Sequence, residues 1–399
     1  MSVAASGPAG PVFRINMLWT DERFRGLFLQ AIAMMVLMLG VAWLINNTVQ
    51  NLSALGKDFD FGFLSQPANY DINQRLIEYD SRSSNARAAL VGILNTLLLA
   101  VMGCITATII GIAAGVARLS KNWIIARLMT VYVEGFRNVP LLIWILLIAA
   151  VVNESFPSPR GLREVETGAV VLTNRGLYVP APVFEAGANV VLGVFIASII
   201  AIFAVRTWAK RRQEATGEQA PLLLIALGLL IIPTALAYFA LGRPITLEYA
   251  TLQGFNFQGG TFLRDSLIAL WIALSLYTGA FIAEIVRAGI LSVNYGQTEA
   301  AYALGLRPNR TMNLIILPQA LRVIVPPLIS QFLNLTKNSS LAIAVGYMDA
   351  TGTLGGITLN QTGREMECIL LLMAFYLCVS LMISAVMNLY NSRVKLVER

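Results

Sequence analysis

The densest run of polar side chains in this apolar sequence lies at Gln331, Asn334, Thr336, Lys337, Asn338, Ser339 and Ser340. Together they supply hydrogen-bond donors, acceptors and one cation, which suits contact with a polar solute and not bond making. Asn334, Lys337 and Asn338 share one helical face through their three- and four-residue spacing. Pro326-Pro327 stands just upstream and predicts an interrupted helix, because proline removes a backbone donor and clashes with the preceding turn. At 1.5 Å per residue, Gln331 falls roughly 20 Å along that helix from Pro318, past the midplane of a bilayer. A broken helix rich in donors at that depth is where membrane carriers bind polar solutes. The alternative is an ordinary outer helix end with a snorkelling lysine.

Two acid–base pairs follow at i, i+3: Glu134 with Arg137, and Glu284 with Arg287. Charges inside apolar helices are costly and usually paired. These four are therefore expected either as structural ion pairs or as a gate that breaks and reforms. No catalytic residue is expected. The only Gly-Lys, Gly56-Lys57, is followed by Asp58 and lacks the Gly-rich phosphate loop of an ATPase. Histidine is absent, which removes the commonest metal ligand. Cys104, Cys368 and Cys378 have spacings that suit neither a zinc site nor a disulfide framework, so no metal is expected.

The elements that must position these groups are read from composition. Of 399 residues, 57% are hydrophobic and 13% charged, with mean hydropathy +0.68; a soluble globule carries about 25% charged residues. The chain is therefore expected to be an all-α polytopic membrane protein. Eight segments reach the roughly 20 apolar residues that a span needs, near 27–46, 89–117, 124–152, 190–208, 221–241, 267–289, 312–335 and 368–390. Backbone groups at that depth must pair internally, which makes each span helical. The first 26 residues mix Arg14, Asp21, Glu22, Arg23 and Arg25 and do not resemble a cleavable signal.

With both termini cytoplasmic, the inner side carries 18 Lys and Arg against 8 Asp and Glu, and the outer side 11 against 14. The basic clusters Arg118/Lys121/Arg127 and Lys210/Arg211/Arg212 then lie inside, as the positive-inside rule requires. The net charge of +7 thus follows from topology, and no nucleic-acid partner is needed. Gly103, Ala107, Gly111 and Gly115 recur every four residues and predict close packing of another helix. The spans around Ala204 and Leu230 are bland and read as peripheral, lipid-facing additions. The long segments 47–88 and 153–189 read as ordered caps.

The loop between the sixth and seventh spans reads EAAYALGLRPNRTMNLIILP from Glu299 to Pro318. Its Glu-Ala-Ala, Gly, Ile-x-Leu-Pro spacing resembles the coupling loop of ATP-binding-cassette (ABC) importer permeases. Further runs agree: Asn95-Thr96-Leu97-Leu98, Tyr132 to Leu141, Tyr277 to Gly289, and Gln297 through Leu341. The chain resembles a permease of the polar amino acid uptake family. Within it, the likeness is to the larger, eight-span subunit of general L-amino acid transporters (AapQ/BztB type), toward which the loop from Phe61 to Ile72 extends it. The core resemblance covers about half the chain. Asn138-Val139 and Arg264-Asp265-Ser266 depart from the family pattern.

The resemblance implies a five-helix type I core plus three extra spans. The organisation expected is a cytoplasmic tail (1–26), a first transmembrane helix (27–46), a periplasmic loop (47–88), core helices two and three (89–152), and a second periplasmic loop (153–189). Two peripheral helices (190–241), a third periplasmic loop (242–266), core helices six to eight (267–391) and a cytoplasmic tail (392–399) follow. A coupling helix at 292–306 would engage a separate ATPase through Glu299, Ala300, Ala301, Gly305 and Leu306. The substrate path would use Gln331, Asn334, Lys337, Asn338, Ser339 and Ser340, with Lys337, Ser339 and Ser340 for a carboxylate and Asn334 and Asn338 for an ammonium. Implied partners are a second, shorter permease subunit, two ATPase subunits holding ATP and Mg, and a periplasmic amino-acid-binding protein. The membrane would be the bacterial inner membrane, the substrate an L-amino acid, and this chain would bind no cofactor.

A stand-alone ion-coupled secondary transporter is the other reading. It predicts acids deep in the bundle and inverted repeats. Here the acids gather toward inner helix ends and no repeat shows. A membrane scaffold without transport would leave the coupling loop unexplained.

Overall fold

Small residues on one face of a long apolar helix set the centre of the architecture. The computed structural model describes residues 19, 22–54, 56, 58–162, 169–218 and 220–394. Most residues of the two expected cytoplasmic tails therefore lie outside the described set. Helix α1 (Glu22–Ala54) belongs to a unit of its own, residues 1–63, and is apolar and exposed along its length.

In the second unit, residues 64–399, α2 (Asn85–Ala117) starts at Ser84, whose hydroxyl accepts from the Arg87 N–H and caps the first turn. The chain then forms α3 (Trp123–Asn138), α4 (Leu141–Ser155), α5 (Ala188–Thr216), α6 (Leu222–Ala240) and α7 (Asp265–Leu291). Two thirds of the apolar window of α7 is buried, against none of α6. This makes α7 the hub, with α2, α3 and α4 packed around it, while α5 and α6 pack mainly on each other.

The glycine stripe explains how α2 approaches α7. A Cβ on Gly111 would stand 2.5 Å from Ile282 Cβ, and one on Gly115 would stand 2.6 Å from the Ala283 carbonyl oxygen. The expectation of tight packing therefore holds.

Among the described residues, seven helices are long and apolar enough to cross a membrane, and eight if the bent pair α3 and α4 makes one span. The sequence reading ran 124–152 as one span, whereas α3 and α4 meet at 110°. Pro140 holds Val139 in extended backbone (φ −110, ψ 134), because the residue before proline is driven from the helical region. The rings of Phe136 and Trp144 stack across this bend, 4.1 Å between centroids and 16° between planes.

Beyond α7 come α8 (Tyr295–Ala303), α9 (Pro308–Thr311), a wide turn at Met312–Ile316 and α10 (Leu317–Asn338). The predicted interruption at Pro326-Pro327 does not occur; α10 runs through both prolines and gives way to a tighter 3₁₀ segment only at Ser339–Val345. Apolar surroundings offer freed backbone groups no better arrangement, so proline is tolerated inside such helices. After a π-type segment at Thr351–Thr358, the chain closes with α11 (Leu359–Thr362) and α12 (Glu365–Val394).

All spans are helical, as expected, but among the described residues the connecting segments add seven short strands. β1 (Val171–Thr173), β2 (Gly176–Val179) and β7 (Thr261–Arg264) form an antiparallel sheet in which Gly176 faces Arg264. β3 (Ala181–Phe184) pairs with β4 (Ile245–Glu248), and β5 (Thr251–Gln253) with β6 (Asn256–Gln258). This second unit thus has a strand end, where α2 and α7 begin, and a coupling end, where they finish.

Candidate functional site

Three groups of predicted residues occupy distinct places along the bundle. At the coupling end, Asn294 caps α8 by accepting from the Gly296 N–H at 2.8 Å. The helix is shorter than the expected 292–306: Ser292 still caps α7, and Leu306 lies past the helix end. Termination follows from Gly305, whose φ of +76 is a conformation that side chains with a Cβ resist. The Gly305 N–H bonds the Tyr302 carbonyl, and the Leu306 N–H bonds the Ala301 carbonyl, closing a Schellman turn.

Ala301 is buried, whereas Glu299 and Ala300 are exposed. Tyr295 is 71% and Leu304 80% exposed, with Tyr302 beside them. These three apolar side chains were missed in the sequence. Exposure of an apolar residue on a short helix leaves no periodic signal there.

Also toward this end lies a charge cluster. Arg287 donates to Glu284 at 2.6 Å, so that predicted pair forms. The other does not: among the described residues Glu134 makes no ion pair with Arg137. Instead Arg118, at the end of α2, pairs with Glu284 and lies 3.6 Å from Glu134. The Arg137 guanidinium sits over the Phe281 ring at 5.4 Å. Arg118 therefore joins α3 to α7, a role its place in a basic surface cluster did not suggest.

Toward the strand end, α10 divides its polar residues between two faces. Asn334 and Lys337 are exposed, and Gln331, Asn338 and Ser340 are half-buried. Ser339 is fully buried and its hydroxyl donates to the Thr336 carbonyl at 2.8 Å, so it stands apart from the expected solute-facing group. Leu335 fills the opposite face, against Gly103 of α2.

Behind this, residues 347–353 clamp onto α2. Asn95 Nδ2 donates to the Gln74 and Met348 carbonyls at 2.7 and 2.9 Å, the Tyr347 hydroxyl donates to the Asn95 carbonyl, and the Ala350 N–H donates to the Thr96 hydroxyl. Gly92 admits this segment, since a Cβ there would collide with Thr353. Asp349 is fully buried in the clamp, and burial pushes its carboxyl up to about 7, although the Gly352 N–H bond pulls the other way. The sequence reading missed it, because a lone acid in a connection looks like any surface acid.

The described residues hold no cluster of His, Cys, Asp or Glu able to bind a metal. What the geometry offers is a helical bundle with a projecting helix at one end and polar residues toward the other. Residues 107–396 match the model of the binding-protein-dependent transport system inner membrane component family.

The chain belongs to that family.

The permease is 51% identical over 425 aligned positions to the glutamate/glutamine/aspartate/asparagine transport system permease protein BztB of Rhodobacter capsulatus, covering 99% of each chain. It is 44% identical to the general L-amino acid transport system permease protein AapQ of Rhizobium johnstonii, over 95% and 94% of the two chains. A shorter relative, the probable glutamine ABC transporter permease protein GlnM of Bacillus subtilis, matches 54% of this chain with 88% of its own length at 34% identity. The permease is thus the multi-pass membrane component of a binding-protein-dependent ABC amino-acid importer, without an ATPase domain. Such a system also comprises an ATPase, a binding protein and paired permease subunits.

Proposed function

We propose that the permease forms half of a translocation path for L-amino acids, paired with a shorter homologue. Two ATPase subunits dock against α8, and a periplasmic amino-acid-binding protein delivers substrate at the strand end. Both termini lie in the cytoplasm. The relatives point to glutamate, glutamine, aspartate and asparagine as candidate substrates. ATP and Mg reside on the ATPases, and this chain supplies only the lever and the path.

The observation that carries this reading is the form of α8. It is a nine-residue helix capped at both ends, and it exposes Glu299, Tyr302 and Leu304 between the ends of α7 and α10. Ala300 and Ala301 keep the helix slim enough for a cleft. Force applied there reaches α7 and α10 directly, since α8 joins them in the chain. Asn334, Lys337 and Asn338 then line the path, and the Arg118–Glu284–Arg287 cluster acts as the gate near the lever.

The test is a cysteine at Glu299 in the assembled complex, cross-linked to the ATPase in membranes. A product that changes in yield when ATP is added supports docking. Absence of any ATPase adduct, in a complex that still hydrolyses ATP, refutes it.

A further inference from the structure

A polar cavity lies at the strand end, away from α10. Its volume is about 550 Å³, and its lining includes Asn73, Asn174, Arg175, Asn256, Arg264 and Asp265. Small-molecule sites span about 300–1,000 Å³, so a free amino acid fits with room for water.

The cavity is held by long-range bonds. The Asp265 N–H donates to the Arg175 carbonyl at 3.2 Å, and the Arg264 N–H donates to the Gln74 side chain at 3.0 Å. The antiparallel register of β2 and β7 places the β1–β2 turn, with Asn174 and Arg175, beside the start of α7. Asn256 Oδ1 accepts from the Tyr178 hydroxyl at 2.9 Å, which fixes the opposite wall.

One feature calls for a ligand: among the described residues the charges of the lining do not balance. Arg264 Nε lies 3.6 Å from Asp265 Oδ1, while the exposed Arg175 forms no ion pair among the described residues. Among the described residues the lining carries two guanidiniums and one carboxylate, a surplus of one positive charge. A zwitterion alone leaves that surplus; an amino acid with a second carboxylate cancels it.

We propose that this cavity is a binding site for acidic L-amino acids, apart from the polar face of α10. The two guanidiniums take the two carboxylates, for which their planar forks are suited, and Asp265 takes the ammonium. The proposal rests on the reading of the chain as an amino-acid importer. It adds a place where dicarboxylic substrates are held and their amides are not.

The experiment uses the assembled complex in nanodiscs without binding protein, probed with radiolabelled L-glutamate. Saturable binding is expected, displaced by L-aspartate and at least tenfold less well by L-glutamine. Arg175→Gln should weaken glutamate at least tenfold, and Arg175→Lys should restore most of it. Asn256→Asp keeps the acceptor for Tyr178 but adds a negative charge, so it should weaken glutamate and spare glutamine. Absence of saturable glutamate binding overturns the proposal, as does binding insensitive to both Arg175→Gln and Asn256→Asp. ATP hydrolysis in the same nanodiscs, measured with binding protein added, separates the two readings. If no L-amino acid stimulates it, the importer reading falls; if stimulation occurs and cavity binding does not, only the present proposal falls.

Discussion

Arg118 and Glu284 are ion-paired across 166 positions of sequence, tying the last turn of α2 to the coupling half of α7. The same arginine lies near Glu134, but that carboxylate is half exposed and its contact is longer. Exposed pairs contribute about 0–1 kcal/mol, whereas removing one partner of a buried pair costs several. Arg118→Gln should therefore lower the melting temperature of the assembled complex. In double-mutant cycles, Arg118 should couple to Glu284 by about 1–3 kcal/mol and to Glu134 by under about 0.5 kcal/mol. Equal coupling to both acids would contradict the geometry.

The contact between α2 and α7 gives a second test. Gly115→Ala puts a Cβ 2.6 Å from the Ala283 carbonyl oxygen, with no flexible side chain to give way. Overpacking costs about 1–3 kcal/mol, so this variant should assemble poorly and melt several degrees lower. Gly193→Ala in α5 meets nothing within 4 Å and should melt at or slightly above the parent temperature. Thermal unfolding monitored by size-exclusion recovery distinguishes the two.

Gly305 offers a test of the lever. A β-branched residue at φ +76 is strained by about 1–2 kcal/mol, enough to unwind the Schellman turn but not a bundle of this size. Gly305→Val should leave assembly intact while substrate-loaded binding protein no longer stimulates ATP hydrolysis. Gly305→Asn, which tolerates this conformation, should retain more than half of the stimulation. A fully coupled Gly305→Val complex would show that the helix end transmits nothing.

Asp349 makes stability depend on pH in a defined direction. It lies in the connection between α10 and α12, outside the candidate spans, with its carboxyl pushed up to about 7 by burial. An unfolded aspartate ionises near about 3.9. Below that value both states are protonated and the full stability is present. Between about 4 and 7 the unfolded chain releases its proton first, so stability falls as pH rises, and it levels off above 7. The melting temperature should therefore drop over this interval by an amount equivalent to a few kcal/mol. Asp349→Asn, which preserves the acceptor for the Gly352 N–H, should flatten that part of the profile.

What could be read from the sequence divides by range. The apolar spans, the close approach at Gly111 and Gly115, and the end of α8 at Gly305 are local facts of hydropathy, size and backbone freedom, and each is legible. The bend at Pro140 was also available, since proline restrains the residue before it, but an unbroken apolar run from Ile124 concealed it. Pro326-Pro327 misled in the opposite sense, because a helix within an apolar bundle absorbs what would break one in water. The pairing of β2 with β7, the Arg118–Glu284 contact and the burial of Asp349 join distant parts of the chain. Three- and four-residue strands are too short to show a period, and a charged side chain carries no mark of its partner.

The stacked rings of Phe136 and Trp144 brace the 110° joint of α3 and α4. Straightening the joint would separate two aromatic faces, a contact that favours the bend by roughly 0.5–1.5 kcal/mol. A push on the Arg118 side would then emerge turned through a corner, sweeping α4 sideways past α7 instead of driving it along its own axis.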